Sequence, residues 1–102
     1  MRTVDFAYLE GFLGGDKAVA AEVLNLFCDQ AKTWGPGLDP ANPDWRAVAH
    51  TVKGAARGIG ANALGEACHA AEFGQADALP AARSALAQAV AEIGDYLAAG
   101  AS

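Results

Sequence analysis

The sequence predicts an all-α domain, and three observations carry that prediction. The chain is alanine-rich with few β-branched runs, its apolar residues recur at helical spacing without sustained alternation, and glycine and proline clusters cut it into pieces of helical length. The breakers are Gly14-Gly15, Gly35-Pro36-Gly37 through Pro43, Gly58 to Gly60, Gly74 to Asp77, and Gly100. Five segments lie between them.

The first, about Asp5 to Leu13, is short, places Phe6, Leu9 and Leu13 on one face and has Asp5 as its cap. The second, about Asp16 to Trp34, repeats Val19, Val23, Leu26, Phe27 and Trp34 at helical spacing, with Asp16 as N-cap. The third begins at Asn42-Pro43, a capping residue followed by proline at the first helical position, and runs to about Ile59. The fourth, about Asn62 to Phe73, aligns Leu64, Cys68 and Ala71. The fifth, about Leu79 to Ala98, aligns Leu86, Val90, Ile93 and Leu97. Four long helices with short connectors, each with one apolar stripe, are satisfied together by an antiparallel up-down four-helix bundle, which the short additional N-terminal helix caps at one end.

Length and charge bound the function. The 102 residues, 53% of them hydrophobic, suit a single domain over 1–102 with one core. No phosphate loop of the G-x-x-x-x-G-K-[ST] type is present, so any phosphate handled comes from elsewhere. A net charge of -5 argues against nucleic acid, whose backbone rewards clustered Lys and Arg. No charged leader or membrane-length apolar run is seen, so a soluble cytoplasmic protein without membrane contact is expected. Cys28 and Cys68 each fall within an apolar helical pattern and are expected as buried, reduced thiols.

The third segment carries the chemistry. At 100° per residue, Trp45, Val48, Ala49, Val52, Ala56 and Ile59 share a narrow arc, and His50 lies about 140° from its centre, on the solvent side. Arg46, His50, Lys53 and Arg57 follow at intervals of four, three and four and form one exposed stripe. Those charges alone suit a solvated face better than a binding site. Gly54 adds weight, because glycine within a helix costs about 1 kcal/mol relative to alanine and points directly away from this core. Side chains lean toward the helix N-terminus, so the missing one leaves the His50 imidazole open to a bulky partner. Lys53, one turn away, can set an ammonium beside a phosphoryl group on that imidazole, and neutral histidine is an abundant nucleophile near pH 7. His69 also faces outward but has no lysine or glycine after it, and is expected to be an exposed bystander. With the histidines outside and the thiols inside, no metal site is expected.

The run His50-Thr51-Val52-Lys53-Gly54-Ala55-Ala56, continued by Ile59-Gly60-Ala61 and Leu64, resembles the signature H-x-x-K-G-[SA]-[SA]-x-x-[LIV]-G-A-x-x-L of histidine-containing phosphotransfer (HPt) domains. The resemblance implies that His50 is phosphorylated, Lys53 assists electrostatically and Gly54 gives clearance. It further implies a carrier without kinase activity or cofactor, a monomer that shuttles phosphoryl groups between receiver domains of a hybrid histidine kinase and of a response regulator. Those receivers supply the magnesium. Members often carry Gln or Glu on the next helix near the histidine; Glu72 matches by spacing, either orienting the imidazole or standing as an ordinary exposed glutamate. Arg57 occupies a position often small or polar in the family, so it and Arg46 are candidates for partner docking. The rivals are a docking or dimerisation bundle without phosphorylation and the dimerising histidine domain of sensor kinases.

Overall fold

A computed structural model describes residues 2–100. The helices are α1 (Phe6–Phe12), α2 (Lys17–Gly37), α3 (Trp45–Gly58), α4 (Asn62–Glu72) and α5 (Leu79–Gly100), with a 3-10 turn over Ala76–Ala78, and no strand occurs among the described residues. Helices α2 to α5 form the expected bundle, each packed on the next in chain order and α5 closing against α2. Contacts between opposite ends make the neighbours antiparallel. A Cβ built on Gly37, at the end of α2, would meet the side chain of Val48 near the start of α3, and Arg83 of α5 donates to the carbonyl of Leu38 just past α2.

Asp5 and Asp16 cap α1 and α2, accepting from the amides of Tyr8 at 3.0 Å and Val19 at 3.1 Å. Two boundaries differ from the sequence expectation. Helix α2 runs through Gly35-Pro36 to Gly37, because proline removes a single ladder bond in the last turn and the fully buried Leu38 closes the end on the carbonyls of Trp34 and Gly35. Helix α3 starts at Trp45 and not at Pro43, since the Asn42 amide donates to the Gly37 carbonyl at 2.9 Å while its oxygen accepts from Asp44 N–H. Asn42 ties the end of α2 to the turn instead of capping α3.

The core faces of α3 and α4 fall where the wheel places them: Trp45, Ala49, Val52, Ala56 and Ile59 are buried, as are Leu64, Cys68 and Ala71, while Val48 is half-buried. In α5, Leu86 and Ile93 are buried and Val90 and Leu97 half-buried, with Leu79, Ala82 and Ala89 completing the face. Helix α2 is turned by about 80° from its expected stripe. Its buried residues are Ala20, Leu24, Phe27 and Ala31, whereas Leu26 is 58% exposed and Val19 also faces out. The buried face of α2 therefore combines Ala20 and Ala31 with Leu24 and Phe27 and leaves part of the aliphatic stripe outside, an orientation set by the neighbouring helices and not by the wheel alone.

Thr3 and Val4, ahead of α1, are fastened by a contact the sequence did not announce. Glu92 of α5 accepts from the Thr3 amide at 2.6 Å, the Val4 amide at 3.1 Å and the Thr3 hydroxyl, while Phe6 stacks on Tyr96 with centroids 4.3 Å apart. The other tether is Asp5 N–H to the carbonyl of Gly60, at 2.9 Å. Gly60 has φ of +82°, and a Cβ there would lie 2.7 Å from the Asp5 carbonyl oxygen. Both the left-handed backbone and the close approach require glycine. Gly60→Ala is therefore expected to cost about 1–3 kcal/mol, read as a lower urea midpoint with unchanged slope.

Candidate functional site

His50 stands in the middle of α3, and antiparallel packing brings the last turn of α4 beside it. Its side chain is 68% exposed, and Nδ1 lies 2.8 Å from Oε2 of Glu72. The other carboxylate oxygen, Oε1, faces Lys53 Nζ at 2.6 Å, and both side chains of this ion pair are largely shielded, 11% and 15% exposed. The Lys53 ammonium beside Glu72 holds that carboxyl below the usual carboxylate range, against the opposing effect of burial and with help from the His50 bond. An ionised carboxylate only accepts, so Nδ1 must donate, which leaves Nε2 of the neutral ring with an open lone pair.

A Cβ built on Gly54 would meet nothing within 4 Å. No packing contact accounts for this glycine, and its effect is the open surface next to His50.

The stripe of four basic and imidazole groups is not uniformly free. Arg46 donates to the Gly74 carbonyl at 2.8 Å and lies 4.3 Å over the Trp45 ring, which pins the end of α4 to the start of α3. Lys53 turns sideways onto Glu72 and sits 5.0 Å over the ring of Phe73. The aliphatic stem of Arg57 covers Gly65 at the far end of the same helix pair, as a Cβ on Gly65 would lie 3.2 Å from its Cγ. Arg46, His50 and Arg57 are exposed as the stripe requires, whereas Lys53 is largely shielded. Each cation reaches toward α4 because positions 46, 53 and 57 fall on the α4 side of the α3 wheel and His50 nearer its open face.

Sequence reasoning missed the apolar surface on the other flank. Val23, Leu26, Phe27 and Gln30 of α2 line a shallow groove with Ala55 and Gly58 of α3 and Ile59, and Tyr8 and Phe12 of α1 are also exposed, at 50% and 73%. The signal was present in Leu26 but assigned to the core. Phe73, in sequence only the end of the fourth segment, is 71% exposed and carries the His69 ring at 4.8 Å. His69 is exposed as expected, though packed on a ring. Cys68 is buried, and burial, reinforced by Glu72, pushes its thiol up to about 11. Cys28 departs from expectation: it is half-buried in a groove between α2 and α5. Both thiols are free.

A helical bundle with this signature on the open face of one helix defines the class of histidine phosphotransfer domains. The chain belongs to the Hpt domain family, whose model matches residues 22–96. It is similar to the crystal structure of the histidine phosphotransferase ShpA from Caulobacter crescentus, with a TM-score of 0.88 and 48% identity over 98% of this chain and 95% of that one. Among curated proteins none matches it. Its role is histidine phosphotransfer in a phosphorelay. No helix among the described residues is long and apolar enough to cross a membrane.

Proposed function

We propose that Nε2 of His50 is the atom that carries the phosphoryl group, taken from an aspartyl phosphate on the receiver domain of a hybrid histidine kinase and passed to the receiver of a response regulator. The observation that carries this is the 2.8 Å contact of Nδ1 with Glu72 on a side chain otherwise open to solvent. In the forward step the lone pair of Nε2 attacks phosphorus, the P–O bond to aspartate breaks, and the aspartate leaves as a carboxylate while a P–N bond forms. Nδ1 keeps its proton, and Glu72 compensates the positive charge that develops on the ring. The reverse step onto the second receiver restores neutral His50. The protein is then a cytoplasmic, monomeric carrier with no cofactor of its own, and the receivers' acidic pockets hold the magnesium.

Lys53 supplies electrostatic help one turn from the imidazole, and Gly54 provides clearance. Glu72 serves to orient the ring, and Arg46 and Arg57 to frame the docking face. Ala47, Gly54 and Gly58 lead across the open side of α3 from His50 toward the Leu26 groove, so a receiver seated over His50 meets apolar surface there.

Incubation with a panel of phosphorylated receivers tests the proposal. Transfer of acid-labile, alkali-stable label to this chain is expected, whereas a tight complex without transfer would make it a docking module, and a dimer in sedimentation would favour a kinase dimerisation domain. Lys53→Ala should slow transfer in both directions by about 1–3 kcal/mol in the transition state without abolishing it. An unchanged rate in single-turnover quench measurements would leave Lys53 a structural ion-pair partner only.

A further inference from the structure

Lys53 lies on the rim of the open face, yet its side chain is only 11% exposed. Glu72 accounts for the position of the charge but not for the shielding of a four-carbon stem. Phe73 makes a further contact with the ammonium: it follows α4 directly, its amide is anchored to the carbonyls of His69 and Ala71, and its ring lies under Lys53 Nζ at 5.0 Å. The ring is itself 71% exposed and contributes little to the core, while the His69 imidazole rests against it at 4.8 Å. An exposed phenyl group costs hydration free energy, and its ordered contacts here lead to the site and not to the interior.

We propose that Phe73 is a positioning residue for phosphoryl transfer: its π-face holds the Lys53 ammonium next to Glu72 and His50. This rests on the reading of Lys53 as the electrostatic partner of the phosphoryl group. A lysine is otherwise a strongly hydrated point charge on a flexible stem, and it would spend much of its time in water away from an incoming phosphate. The electron-rich ring face attracts the cation without neutralising it, unlike a second carboxylate. When the phosphoryl group arrives with about two negative charges, the ammonium can turn from Glu72 toward it over a short distance while remaining on the ring.

The test is a double-mutant cycle on single-turnover transfer from a receiver loaded with acetyl phosphate, using the fastest donor in the panel. Phe73→Leu should slow transfer about two- to fivefold, the range that a cation–π contact at an exposed site predicts, and Phe73→Tyr should retain the parental rate. In a Lys53→Met background, Phe73→Leu should cause no further loss. The ring-current shift of the Lys53 ε-protons should vanish in Phe73→Leu and persist in Phe73→Tyr. A parental or faster rate for Phe73→Leu, a slowed Phe73→Tyr, or an unmoved Lys53 resonance overturns the proposal. An equal loss in the Lys53→Met background also overturns it, making the ring a direct receiver contact. If Lys53→Met alone transfers at the parental rate, the reading of Lys53 fails first and Phe73 has nothing to position.

Discussion

Replacing His50 with glutamine is expected to abolish phosphoryl acceptance, below detection in a labelled gel or phosphorus NMR, while leaving the bundle folded. Glutamine can still approach Glu72 with its amide donors but offers no nucleophilic lone pair, since the amide nitrogen is delocalised into its carbonyl. The side chain of His50 is mostly in water, so its replacement removes little packing and should shift the thermal midpoint only slightly. The matched control is His69→Gln, which removes the other histidine and should leave acceptance intact. Label persisting on His50→Gln, or moving to His69, would overturn the assignment of the carrier atom.

Gly54→Glu is expected to block receiver docking and transfer while slightly raising helix stability, an opposition of effects that a merely disruptive mutation does not produce. Glutamate is a better helix former than glycine by up to about 1 kcal/mol, and the space above Gly54 is empty in the free protein, so the fold accepts it. The new side chain leans toward the N-terminus of α3, over His50, and occupies the volume that an approaching receiver needs. Its charge also opposes the acidic receiver pocket and the phosphoryl group. Gly54→Ala separates bulk from charge and should lose less transfer at the same gain in stability. Thermal midpoints measured beside transfer rates for the three proteins decide the matter: parental transfer by Gly54→Glu would move the docking surface away from His50.

Much of this was legible in the chain because it depends on local period. The apolar arcs of α3 and α4, the caps at Asp5 and Asp16, the outward angle of His50 and the vacancy at Gly54 follow from 100° per residue and from the chemistry of single side chains. Glu72 was placed only by spacing from a family pattern, with an ordinary exposed glutamate left as its alternative. A wheel shows which way each helix faces but not what faces it.

By itself, then, the sequence determined the number and order of the helices, the side of α3 on which His50 opens, and the signature that marks the family. Tertiary structure alone decided the remainder. The turn of α2 buries Ala20 and Ala31 and exposes Leu26, an orientation that counting hydrophobic residues on one helix does not supply. The antiparallel depth of α4 against α3 set Glu72 between His50 and Lys53, and drew the lysine out of water onto a carboxylate and a phenyl ring. Glu92 gathers the amides of Thr3 and Val4 across nearly the whole chain for the same reason. Partners so distant in sequence leave no periodic trace, and only packing brings them within the few ångströms over which charge and hydrogen bonding act.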